Sequence, residues 1–232
     1  MTSRRHEFTV EETTELLGEL DARLRQRGVA ASIFVVGGAA IAANRTRRAR
    51  VTEDVDALTR DTVVLDEAKA LARERGLPES WLNPNAGMWM PPLPGGVLDR
   101  PTEPGLRVTY ADDGFLLATK LIAQRAKDAD DVVALAARLG LEAASPDQLE
   151  AHIRSYYTDP AMLEFVVDGN DVALEISMLA QDASRMLRRT SGVDVEATQT
   201  DLDTERLRRS TDLERRTPPL HENDHAPRIP DF

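Results

Sequence analysis

The chain has 232 residues, 30% charged and 41% hydrophobic, the balance of a soluble protein with one ordinary core and a smaller appendage. It has no cysteine, which excludes a disulfide scaffold, a thiolate zinc site and a cysteine nucleophile. A net charge of -11 and a pI near 4.9 argue against broad electrostatic binding of nucleic acid and leave phosphate contacts to a local basic patch. No run approaches the ~18 apolar residues of a membrane-spanning helix, and the N-terminal stretch lacks the apolar centre of a secretory signal. A cytoplasmic location without membrane partners is expected.

The elements follow in chain order. Val10 to Arg27 carries Leu16, Leu17, Leu20 and Leu24 among acids and arginines, an amphipathic helix closed by Gly28. Ile33 to Val36 is a short apolar run before Gly37-Gly38 and reads as a buried strand. Ala39 to Asn44 predicts a helix of small residues, and Arg45 to Arg50 a basic loop. Val51 to Leu58 alternates as a strand, with Asp54 and Asp56 on one face. Asp66 to Arg75 predicts a helix ended by Gly76 and Pro78. A strand is expected to begin at Trp81, and Asn83 to Pro104 reads as a long irregular loop.

Leu106 to Tyr110 predicts a further strand, and Asp112 to Arg125 and Asp130 to Leu139 two helices. Ser145-Pro146-Asp147-Gln148 is a capping box with proline at the first helical position, opening a helix to about Tyr157. Val172 to Arg189 carries a helical stripe. From Thr190 the chain turns polar, and Thr217 to Phe232 has the composition of a disordered tail.

The order of elements predicts an α/β (α+β) fold: a small mixed sheet with flanking helices over 1–110, a helical part over 111–189 and a polar, flexible tail over 190–232.

Two aspartates at i and i+2 of a strand can converge on one hard cation, and Mg²⁺ binds one or two carboxylates together with substrate phosphates. Gly37 and Gly38, between strand and helix, let a backbone approach phosphate closely. Each feature alone is common on solvated strand ends and in tight turns. Their occurrence together, in this order, points to a metal–nucleotide site.

These residues resemble a known signature. Val36-Gly37-Gly38-Ala39-Ala40 followed by Thr52-Glu53-Asp54-Val55-Asp56 is similar to the DNA polymerase beta-like nucleotidyltransferase superfamily, nearest to its AbiEii/MenT-type toxins of bacterial toxin–antitoxin systems. The segment from Leu117 to Ala123, with Arg125 and the run Lys127 to Val132, resembles that group's later lysine and aspartate, at Lys120 and Asp131. The likeness spans roughly Ile33 to Leu139.

The resemblance implies a nucleotidyltransferase core and a role for each matched residue. Asp54 and Asp56 would hold Mg²⁺. Gly37 and Gly38 would lie against the phosphates of a nucleoside triphosphate. Thr52 would brace the metal strand or a phosphate, Lys120 would neutralise triphosphate charge, and Asp131 would orient Lys120 or the acceptor. A tRNA 3′ end or a protein side chain is the implied acceptor, and a cognate antitoxin the implied partner.

One departure stands out: many such enzymes carry a third carboxylate on a later strand, and Leu106 to Tyr110 has none. Either two carboxylates suffice, or the chain is a catalytically inactive binding protein of this fold. Arg45, Arg47, Arg48 and Arg50 read either as phosphate ligands, with Arg48 the candidate, or as a solvated loop. The histidines are scattered, with neither zinc spacing nor a nucleophile–His–Asp pattern.

Overall fold

The structure, a computed structural model, describes residues 6–44, 46, 51–167 and 171–191. Residues 1–191 form one compact unit. Of the basic stretch, Arg45, Arg47, Arg48 and Arg50 lie outside the described residues, as does the tail from 192 onward.

The fold is mixed α/β, a four-stranded sheet flanked by helices. The first helix, α1 (Val10–Gln26), starts from a capping box: the Thr9 hydroxyl accepts the Glu12 amide, and the Glu12 carboxylate accepts the Thr9 amide. Its leucine stripe is buried as the period requires. Strand β1 (Ala30–Val35) is almost wholly buried because it lies in the interior of the sheet.

Helix α2 (Gly37–Ala43) starts two residues earlier than the small-residue pattern predicts, at the first glycine. Strand β2 (Val55–Leu58) pairs antiparallel with β1, Val35 facing Ala57. Helix α3 (Thr62–Arg75) crosses over to a two-residue strand β3 (Leu82–Asn83), which pairs parallel with β2, Asp56 opposite Asn83. Strand β4 (Gly105–Tyr110) pairs parallel with the other edge of β1, giving the order β3-β2-β1-β4.

The strand expected over Val51 to Leu58 is shorter than its alternation suggests. Thr52 leaves the sheet to form an isolated backbone bridge with Phe8, and its hydroxyl donates to the Asp54 carbonyl at 2.7 Å. The chain bends at Glu53 and Asp54, so Asp56 lies in β2 and Asp54 just ahead of it.

The segment between β3 and β4 is not wholly irregular. A short 3-10 turn covers Asn85–Trp89, and Asp99 and Arg100 are tied back to the body of the fold. The Ser32 hydroxyl donates to the Asp99 carbonyl at 2.7 Å, and Arg100 Nε donates to the buried Asp61 carboxylate at 2.8 Å.

The helices after the sheet are α4 (Asp113–Ala123), α5 (Ala129–Leu139), α6 (Pro146–Tyr156), α7 (Pro160–Val166) and α8 (Val172–Ser191). Helix α4 stops at Gln124, whose φ of 39° breaks the turn, and a 3-10 turn over Ala126–Asp128 leads into α5. The capping box expected at Ser145 forms with Gln148. Helix α7 is not foreseen by periodicity; it opens on Asp159, whose carboxylate accepts the Ala161 amide, with proline at its first position. One continuous apolar core runs from Phe8 to Leu187. No helix of the described residues is long and apolar enough to cross a membrane.

Candidate functional site

The turn from β1 into α2 sets one wall of the site. Gly37 adopts φ +62°, a region that L side chains rarely enter. A Cβ built there would stand 3.1 Å from Asp56 Oδ2, so the bare backbone lies directly against that carboxylate. The Val36 amide donates to the Asp56 carbonyl at 2.9 Å, which locks this turn to the first residues of β2.

Asp56 is the most strongly perturbed acid of the site. Burial, then the charge of Asp54, push its carboxyl from 3.8 up to about 6, against the pull of Arg125, Lys120 and Lys127. Asp54 Oδ2 accepts a hydrogen bond from Asn83 Nδ2 at 3.0 Å. Asn83 is the registered partner of Asp56 across the parallel β2–β3 pair, so their side chains share a face. The strand flanking the carboxylates is therefore β3 rather than β4, and it brings an amide where a third acid was sought on Leu106 to Tyr110.

The opposite wall comes from α4 and the turn after it. Lys120 is buried, with Nζ 2.5 Å from Asp128 Oδ1 and 3.2 Å from Asp131 Oδ2. Arg125 Nε donates to the other Asp128 oxygen at 2.7 Å. Burial pushes the Asp128 carboxyl up, but the hydrogen bonds and charges of Lys120 and Arg125 outweigh it and hold it below the ordinary carboxylate range. As an acid beside the first turn of α5, Asp128 is explained in sequence by the helix dipole. In the structure its side chain makes no capping bond and clamps two cations instead.

Between these walls lies an open cavity of about 630 Å³. Gly37, Asp56, Lys120 and Arg125 are among the residues that line it, as are Trp89, Met90, Val166, Val167, Leu179 and Glu175. The volume is within the usual range for a small-molecule or cofactor site.

No protein-family model, no curated protein and no solved structure matches this chain.

The residues singled out from sequence are thus distributed unevenly. Gly37, Asp56 and Lys120 face one cavity, and Asp54 stands close enough to Asp56 to raise its proton affinity. Asp131 is fully buried behind Lys120. Gly38 follows in the first turn of α2 without lining the cavity, and Thr52 acts on the backbone of Asp54 rather than in the cavity. Arg48 lies outside the described residues. Asn83, Arg125, Asp128, Trp89 and Glu175 enter the site without having been selected from sequence.

The donor set suits Mg²⁺. Asp54 and Asp56 are a like-charged pair in a partly desolvated place, and a hard divalent cation relieves that repulsion. The missing Cβ at Gly37 keeps space open beside Asp56 Oδ2. Among the described residues no group of three or more His, Cys, Asp or Glu side chains is placed to hold a metal ion.

Proposed function

We propose that this chain is a Mg²⁺-dependent nucleotidyltransferase that moves a nucleotide from a nucleoside triphosphate to an acceptor hydroxyl. The observation that carries this reading is the shared cavity: an acid with raised proton affinity and a bare glycine backbone on one side, a buried lysine and a half-exposed arginine on the other. Mg²⁺, when bound, would stabilise charge on the transferring phosphorus centre. Asp54 and Asp56 would hold it, with Asn83 orienting Asp54 through its amide.

Lys120 and Arg125 present positive charge to the triphosphate, while Asp128 and Asp131 fix Lys120 in place. The acceptor oxygen forms a bond to the α-phosphorus as the bond to pyrophosphate breaks, and the hydroxyl proton leaves to solvent. Gly37 supports this by letting the phosphates approach the backbone beside Asp56. A tRNA 3′ end as acceptor and a cognate antitoxin as partner rest on the sequence resemblance alone.

The test uses purified protein, Mg²⁺, labelled nucleoside triphosphates and total RNA or protein acceptors. Label transfer is expected, and Asp54→Ala with Asp56→Ala is expected to abolish it. Transfer that survives the double substitution would overturn the assignment. One observation favours a second reading, a nucleotide-binding protein without turnover: the amide of Asn83 beside Asp56, where a third metal-binding acid would strengthen the site. Nucleotide binding with no transfer to any acceptor supports that reading instead.

A further inference from the structure

Among the described residues Gln124 is the one residue other than glycine with a positive φ, 39° with ψ 36°. It closes α4 in the left-handed turn that Gly76 and Gly140, with φ 67° and 69°, give to α3 and α5. Glycine enters that region without strain, whereas a Cβ is crowded there by a neighbouring carbonyl. Asparagine and aspartate ease the crowding with short side chains that bond locally, and glutamine has none. What glutamine adds over glycine at such a position is its longer side chain.

That side chain bridges to another helix. Its Nε2 donates to the Leu179 carbonyl of α8 at 2.6 Å, while its backbone N–H closes α4 on the Lys120 carbonyl at 3.0 Å. A carbonyl has two lone pairs, so Leu179 can accept this amide and stay in the ladder of its own helix. Helix α8 is also held by the buried Ile176 and Ala180, and by the Ser184 hydroxyl, which donates to the Ala144 carbonyl at 2.7 Å. Apolar packing is non-directional and leaves a helix some freedom to slide and turn. The directional bond at Leu179 removes that freedom where α8 meets the cavity.

The link joins residues on which the nucleotide reading depends. Lys120 stands one turn before Gln124, and Arg125 follows it directly, with Nε 2.7 Å from Asp128 Oδ2. Gln124, Lys120 and Arg125 line the cavity of about 630 Å³ together with Glu175 and Leu179 of α8. The same three residues line a second cavity of about 150 Å³, with Asp182, Ala183 and Met186 of α8. Gln124 thus belongs to both cavities and ties the cationic side of each to α8.

We propose that Gln124 is a positioning residue for the nucleotide site: it holds a strained turn so that its amide fixes α8 against the segment that carries Lys120 and Arg125, which sets the width of the cavity. The effect on nucleotides rests on the nucleotide reading of that cavity.

Two variants of the full chain test it. Gln124→Gly keeps the left-handed turn and removes the amide, and Gln124→Met keeps a side chain of similar length without a donor. Hydrogen exchange read by mass spectrometry, without nucleotide, is expected to be at least about threefold faster over 175–183 in both variants and unchanged over 132–136 of α5. The urea midpoint of Gln124→Gly is expected within about 0.3 M of the parent's, because relief of the turn offsets the freer unfolded chain. Titration calorimetry with Mg²⁺ and ATP, GTP, CTP or UTP is expected to show every nucleotide that the parent binds weakened by about three- to tenfold in both variants. Weaker binding at unchanged stability is what a merely structural role would not give. Unchanged exchange in α8 overturns the link. Faster exchange with unchanged affinity overturns the positioning role and leaves the nucleotide reading standing. A parent that binds no nucleotide overturns both.

Discussion

Replacing Gly37 by alanine puts a methyl group against the Asp56 carboxylate. The new Cβ would stand 3.1 Å from Asp56 Oδ2 and would sit at φ +62°. The left-handed backbone costs about 1 kcal/mol for an L residue. Crowding against the carboxylate adds about 1 kcal/mol, the low end for overpacking, because Asp56 can turn away. The gain from restricting the unfolded chain, up to about 1 kcal/mol, is the same whatever stands at position 56. A double-mutant cycle with Asp56→Ala isolates the contact: Gly37→Ala should cost about 1 kcal/mol less once the carboxylate is gone. Urea unfolding at neutral pH without divalent metal measures all four proteins. In the Asp56 background the turned carboxylate should also weaken nucleotide binding at least about tenfold. Equal costs of Gly37→Ala in both backgrounds would refute the idea that this glycine serves Asp56.

Two further outcomes follow from the charges of the site. Asp56 has its carboxyl raised from 3.8 to about 6, so its contribution to folding is fully present below about pH 4 and is lost as pH rises through about 6. At about 1.4 kcal/mol per pH unit this is at most about 3 kcal/mol, and about 2 kcal/mol after discounting for solvent. Asp56→Asn should therefore be more stable than the parent by about 2 kcal/mol at pH 7.5 in EDTA, with the gap closing towards about pH 4. A gap independent of pH in urea titrations would contradict the cause assigned. Lys120→Met removes the cation from two buried carboxylates and should cost about 3–5 kcal/mol, much of it regained when Asp128→Asn and Asp131→Asn are added. A loss below about 1 kcal/mol by the single variant would show that the cluster does not hold α4 to α5.

The strands β1 and β4 were readable from apolar runs, β2 from alternation over a longer stretch and β3 only as a start at Trp81, and the mixed sheet followed from their order. What pattern could not supply was neighbourhood. Asp54 and Asp56 looked like one face of a strand, but after the Phe8–Thr52 bridge the chain bends at Glu53 and Asp54, which leaves only Asp56 inside β2. Asn83 was visible as the end of a weak strand. Its place beside Asp56 depends on the β2–α3–β3 crossover, which the short-connection rule for parallel strands would have suggested. Lys120 and Asp131 were legible through resemblance. Asp128 was hidden by an adequate local explanation, because its partner lies across the helix break at Gln124. Helix α7 has only two turns, too few for periodicity, although Asp159-Pro160 carries its start signal. Glu175 and Trp89 are brought to one cavity only by the folded chain.

The far wall of the cavity has a consequence for the timing of synthesis. Every strand of the described residues has been synthesised once Tyr110 is added, yet Glu175 and Leu179 belong to the last described helix. Translation of the intervening chain takes on the order of ten seconds. During that interval the carboxylate pair and its glycine turn can form, but the cavity lacks the residues that α7 and α8 bring to it. A half-made chain would thus hold the Asp54–Asp56 pair and the Gly37 turn without the cavity wall that its last described helices supply.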